Sequence, residues 1–93
     1  MNENYINIQM SNLVAALVRN INDNFINISF DVAKNGCVQV RIILEEHTAI
    51  EEEYIEDIAG EFTASQKFDI LEEVEIVVNK DIGPLRYIVF NRK

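Results

Sequence analysis

Five carboxylates fall within the ten residues of the stretch TAIEEEYIED, positions 48–57. Acids packed this densely could divide general-acid and general-base roles, share a cation, or meet a basic partner. Catalytic carboxylate pairs need environments that separate their pKa values, which requires burial in a cleft. Helical spacing instead sets Glu52 and Glu56, and Glu53 and Asp57, four residues apart along a solvent-facing side. The stretch lacks the alternating ligands and glycine of a calcium loop, and the single histidine, His47, sits just before the proposed helix cap rather than on the helix with the acids. The single cysteine, Cys37, has no second cysteine or base at an identifiable distance, and Gly36, Gly60 and Gly83 lie too far apart for a phosphate-cradling loop. No catalytic residue, metal or cofactor is therefore expected, and the chain reads as a binding protein rather than an enzyme. The candidate partner-binding residues are Glu45, Glu46, Glu52, Glu53, Tyr54, Glu56 and Asp57. Tyr54 is either a core residue or an aromatic anchor within an acid-rimmed patch.

The charge of the 93-residue chain supports that direction. Residues 1–44 carry three acids and three bases, residues 45–75 carry twelve acids against Lys67, and residues 76–93 carry Asp81 against four bases. A field this concentrated repels nucleic acid and anionic membrane and speeds encounter with a basic protein. The length suits one domain, residues 1–93, that buries roughly 60% of the surface of its unfolded chain and has little material for a deep cleft. A lone cysteine, no apolar leader and no apolar run near membrane-spanning length lead to the expectation of a cytoplasmic protein.

The elements that must position the acids are legible as changes of period. Leu13, Val14, Leu17, Val18 and Ile21 follow helical spacing after Ser11, or from as early as Ile6, and Asn22-Asp23-Asn24 is the stop. From Phe25 the period becomes two. Ile26, Ile28, Phe30 and Val32 form one apolar row, and Val38, Val40, Ile42 and Leu44 form another. A two-residue Asn-Gly turn would put these rows on opposite faces. A three-residue loop with Gly36 left-handed instead pairs Val32 with Val38, Phe30 with Val40, Ile28 with Ile42 and Ile26 with Leu44. Thr48-Ala49-Ile50-Glu51 fits a capping box and opens a helix over 48–62, with Ile50, Tyr54, Ile55, Ile58, Ala59 and Phe62 as its apolar face. Residues 65–73, with Phe68, Ile70 and Leu71, suit either helix or strand. Val74, Ile76, Val77 and Val78 read as strand, 79–84 as turn, and 85–90 as a final strand.

The order αββαββ, taken as two hairpins and two amphipathic helices, predicts an α+β two-layer sandwich: an antiparallel four-stranded sheet with both helices on one face. Ile43, Val77, Ile88 and Phe90 fall out of phase with the main apolar rows and are expected on the opposite face.

In size, charge and element order, with its acids on the 48–62 helix and its Leu44-Glu45-Glu46 approach, the whole chain resembles the immunity proteins that bacteria pair with nuclease toxins, including those of contact-dependent inhibition systems. The resemblance implies an antitoxin whose carboxylates meet lysines and arginines of a toxin's nucleic-acid cleft or a neighbouring exosite, without binding nucleic acid itself. Two other readings stand beside it. One is a homo-oligomerising adaptor or structural subunit that uses the outer sheet face, and the other is a nucleic-acid-mimicking inhibitor that competes directly with DNA.

Overall fold

In the computed structural model, which describes residues 3–67, 69–78 and 81–92, the two alternating runs become β1 (Phe25–Val32) and β2 (Val38–Leu44), joined as an antiparallel hairpin. The Ala33 N–H donates to the Cys37 carbonyl and the Gly36 N–H to the Ala33 carbonyl, each at 2.9 Å, which leaves Lys34-Asn35-Gly36 as a three-residue loop. Gly36 has φ +89°, a conformation that a side chain would strain. The expected pairs Val32–Val38, Phe30–Val40 and Ile28–Ile42 all form. Leu44, however, faces Phe25 rather than Ile26. A bulge between Phe25 and Asn27 absorbs one residue and turns the larger phenylalanine into the core.

The first helix, α1 (Glu3–Leu17), begins well before Ser11, because Ile6 and Gln9 extend its buried stripe through Leu13, Ala16 and Leu17. Val14 and Val18, expected on that stripe, are exposed. The chain also leaves the helix before the Asn22-Asp23-Asn24 stop. Arg19 adopts φ 68°, the left-handed geometry of a helix terminus, and the Asn20 N–H returns to the Leu17 carbonyl at 3.0 Å. The second helix, α2 (Ala49–Ala64), carries the expected capping box and buries Glu51, Ile55, Ile58 and Phe62, whereas Ile50 is 59% exposed.

α2 ends at Ala64, the next strand is β3 (Glu72–Val77), and β4 (Tyr87–Asn91) completes the sheet. Phe68, and Asn79 and Lys80 of the expected turn, lie outside the described residues.

The sheet order is β3-β2-β1-β4, and it is mixed rather than antiparallel. β1 pairs antiparallel with β2 and β4, but β3 lies parallel to β2. The expected second hairpin, between the last two strands, therefore does not form. The reason lies in α2. Its 16 residues extend about 24 Å, enough to carry the chain back along the whole of β2, so that the next strand starts where β2 started. β3 and β4 then occupy opposite edges and point the same way, and the chain between them must cross the sheet.

That crossing runs over the face away from the helices. The Leu85 N–H donates to the Ser29 hydroxyl at 2.8 Å, and the Arg41 guanidinium donates to the Gly83 carbonyl at 2.9 Å. Ser29 and Arg41 are register partners whose side chains alternate away from the core row. The β2-to-β3 and β3-to-β4 connections travel across the sheet in opposite directions, so a common hand requires them to lie on opposite faces.

The helices share one core with the inward row of the sheet. Leu13, Ala16, Leu17, Ile55, Ile58 and Phe62 close over Ile28, Phe30, Val38, Val40, Ile42 and Leu44. A bulge in the β1–β4 register, which pairs Phe90 with Ile28 but Ile88 with Ser29, brings Phe90 to this core and corrects its expected place on the outer face. Ile43 and Val77 do point outward as a register pair, yet both are buried, whereas Ile88 is half exposed.

These two left-handed residues give a paired prediction. No atom crowds a Cβ built at Gly36, so Gly36→Ala is purely conformational and should destabilise by about 1 kcal/mol. Arg19→Gly relieves the same kind of strain and should raise the melting temperature in thermal unfolding followed by circular dichroism.

Candidate functional site

The acids of α2 divide by what they touch. Thr48 caps the helix: its hydroxyl oxygen accepts from the Ile50 N–H at 3.3 Å, while its own N–H and O–H donate to Glu51 Oε1 at 2.7 and 2.5 Å. The other Glu51 oxygen accepts from Asn22 Nδ2 at 2.8 Å. Glu51 is only 1% exposed, yet the Asn22 amide, followed by the Thr48 hydroxyl, holds its carboxyl down at about 2 despite the opposing effect of burial; the Thr48 N–H and the Asn24 side chain add to the lowering. At the far end of the helix, Glu61 Oε2 accepts from Asn20 Nδ2 at 2.7 Å, and the same amide nitrogen reaches the Ala16 carbonyl at 2.9 Å. Two acids and two asparagines thus clip both halves of α2 to the segment that joins α1 to β1.

Of the sequence-predicted partner-binding residues, Glu52 sits 2.5 Å from His47 Nε2 on the surface. Glu45 is 3.4 Å from the Arg92 guanidinium, which also donates to the Asp23 carbonyl at 2.8 Å. Tyr54 is half-buried and meets Phe25 edge-on, with ring centroids 6.4 Å apart at 61°, so much of its ring serves the core. Glu46, Glu53, Glu56 and Asp57 are exposed and make no hydrogen bond or ion pair among the described residues. Glu53, Glu56 and Asp57 stand at i, i+3 and i+4, on the side of the helix opposite Ile55, Ile58 and Phe62. They form one patch, with Glu46 on the chain leading into it.

This patch weakens the helix that carries it. Like charges three or four residues apart repel one another, and Glu56 and Asp57 lie beyond the first turn, where the helix dipole favours acids. What holds α2 in place is the cap, the buried row and the two asparagine clips, none of which uses the patch.

Sequence reasoning missed a second acidic element. Glu72, Glu73 and Glu75 come to the sheet edge on β3; the Thr63 hydroxyl donates to Glu72, and Arg41 Nε lies 3.1 Å from Glu75. Their place beside α2 depends on the parallel β2–β3 pairing. The partners of Glu51 and Glu61 were also missed, although the run of asparagines after α1 was a signal for them.

The remaining chemistry-bearing groups sit apart. Burial and then the neighbouring Glu73 push the Cys37 thiol up, away from the nucleophilic thiolate form. A groove beside Tyr5, Ile8 and Ile70 is floored by Gln9 and Gln66, whose side-chain amides bond reciprocally at 3.0 and 2.8 Å. Among the described residues there is no group of three or more His, Cys, Asp or Glu side chains placed to hold a metal ion, and no helix long and apolar enough to cross a membrane. No protein-family model and no curated protein matches the chain.

The lowered Glu51 carboxyl carries a pH signature. Because its folded value lies below the ordinary glutamate range, its stabilising contribution is complete above that range and is lost as pH falls towards 2. Thermal unfolding across this window should therefore show a falling melting temperature that Glu51→Gln flattens, the variant starting lower at neutral pH. Thr48→Ala should cost about 1 kcal/mol, equivalent to roughly 4–8 °C, in the same scans.

Proposed function

We propose that the protein is an immunity-type inhibitor that binds a basic toxin, a nuclease domain, through the acidic side of α2. The observation that carries this reading is the Glu53, Glu56 and Asp57 patch, uncompensated among the described residues, on a helix anchored at both ends. Charges that oppose the stability of their own helix are explained by a ligand that neutralises them. A nuclease cleft offers the complement, since lysines and arginines gathered to hold phosphates present the same positive field to a carboxylate surface.

The anchoring matters for affinity. Backbone held by the Thr48 cap and by the Asn20 and Asn22 clips needs no ordering when the partner arrives, so less of the contact energy is spent on entropy. Long-range attraction speeds the encounter, and the rigid helix sets the register in which carboxylates meet cations. Glu46 and the exposed part of Tyr54 extend the contact, while Glu45 and Glu52 would exchange Arg92 and His47 for partner cations.

The test uses tagged protein in its native cells, with the wild type compared against a Glu53→Lys, Glu56→Lys, Asp57→Lys variant. The wild type should recover one basic protein whose nuclease activity it suppresses at equimolar ratio. The variant should fold, bind that protein at least tenfold more slowly at low salt, and show a shallower salt dependence. Equal recovery and equal inhibition by the variant would refute docking through α2.

A further inference from the structure

Among the described residues, β3 is an edge strand with β2 as its only neighbour in the sheet, and half of its backbone groups are unused there. The Val38 N–H donates to the Leu71 carbonyl at 2.9 Å, and in a parallel ladder alternate residues turn their backbone groups to the same neighbour. Leu71, Glu73, Glu75 and Val77 therefore face β2, and Glu72, Val74 and Ile76 direct their N–H and C=O groups out of the sheet. Among the described residues nothing meets these groups. The register from Val38–Glu72 to Ile43–Val77 is continuous, and neither a bulge nor a proline interrupts the strand. The opposite edge, β4, is shorter and broken by the bulge beside Ile88, which makes it the poorer acceptor for another strand.

The side chains around this edge specify what would fit it. Val74 is 40% exposed on the helix side, Leu71 and Val78 are exposed at the two ends, and Glu73 and Glu75 are exposed on the outer side. The bond from Thr63 to Glu72 places one flank of α2 beside the edge. Glu56 precedes Thr63 by seven residues and Glu52 lies one turn further back, so both belong to that flank. Seven helical residues rise about 10 Å, as do three strand residues, which brings Glu56 abreast of Glu75. An incoming strand would have acids above it on α2, acids beside it on the outer face, and an apolar contact at Val74.

We infer that the free edge of β3 seats a basic, extended segment of the partner, with lysine or arginine alternating with apolar residues, which pairs with Glu72, Val74 and Ile76 as a fifth strand of the sheet. This deepens the docking reading above and rests on it. Main-chain bonds supply the affinity of such an addition and the alternating side chains its selectivity. The same acids select against two β3 edges pairing with each other, because that would set like charges side by side.

The full-length ¹⁵N-labelled chain would be titrated at low ionic strength with an acetylated heptapeptide of alternating lysine and valine, with amide exchange read residue by residue. Binding should slow exchange at Val74 and Ile76 on the order of tenfold or more. Val74→Pro should weaken binding on the order of tenfold, because it removes an outward N–H without touching the β2 ladder. Glu73→Lys, which alters only an exposed side chain, should weaken it comparably and serves if the proline variant does not fold.

Shift changes confined to Glu53, Glu56 and Asp57, with Val74→Pro binding as tightly as wild type, would overturn edge pairing and leave acidic docking standing. Absence of binding anywhere on the chain would count against both. Protection at Val74 that grows with protein concentration in the absence of peptide, and is lost with Arg86→Ala and Arg92→Ala together, would assign the edge to β4 of a second copy and overturn the inference.

Discussion

The inward row of the β1–β2 hairpin, Ile28, Phe30, Val38, Val40, Ile42 and Leu44, has to be removed from water, and both helices must lie on the same side of the sheet to do it. Most of the topology follows from that requirement. With α2 laid antiparallel over β2, the chain emerges where β2 began, and β3 joins in parallel. The last strand then finds its place on the other side of β1, reached by a connection that the helices force onto the opposite face. Ser29 and Arg41 receive that connection with hydrogen bonds on the outer face, where Ser29, Ile43 and Val77 are buried while Glu73, Glu75 and Ile88 stay exposed.

Within this frame the buried Glu51 and Asn20 act as fasteners. Glu51 satisfies orphan donors at the start of α2 and simultaneously accepts from Asn22, so a single carboxylate joins the helix cap to the loop after α1. Asn20 plays the corresponding part with Glu61 and Ala16. A buried carboxylate is tolerable only when its lone pairs are filled, and the low protonation value of Glu51 reflects that filling.

The acidity of residues 45–75 thus has two physical meanings. Glu51 and Glu61 belong to the fold, and Glu45, Glu52, Glu72 and Glu75 are engaged by groups of the chain itself. Glu46, Glu53, Glu56 and Asp57 have no such engagement among the described residues and supply the field that a basic surface would meet. Net charge alone does not separate these sets, because a carboxylate's role depends on what lies within hydrogen-bonding distance.

Local chemistry was legible along the chain. The capping box at Thr48 and Glu51, the left-handed glycine at Gly36, the loop length that aligned Phe30 with Val40, and the element order αββαββ are all set by neighbours a few residues away, so spacing and turn geometry were enough to read them. Helix edges were less so: Gln9 and Glu51 are buried where Val14 and Ile50 were expected, because burial depends on which side another element approaches. The strand order belongs to that second class. Nothing in residues 72–77 or 87–91 states whether they pair with each other or with β2 and β1; the return path of α2 and the shared core decide it. The sequence by itself determined the element order, the cap that opens α2 and the acidic surface of α2, since those rest on local interactions. Only the tertiary structure decided that the sheet is mixed, that the outer face is crossed by the chain, and that β3 offers an acidic open edge, because those depend on contacts between residues distant in sequence.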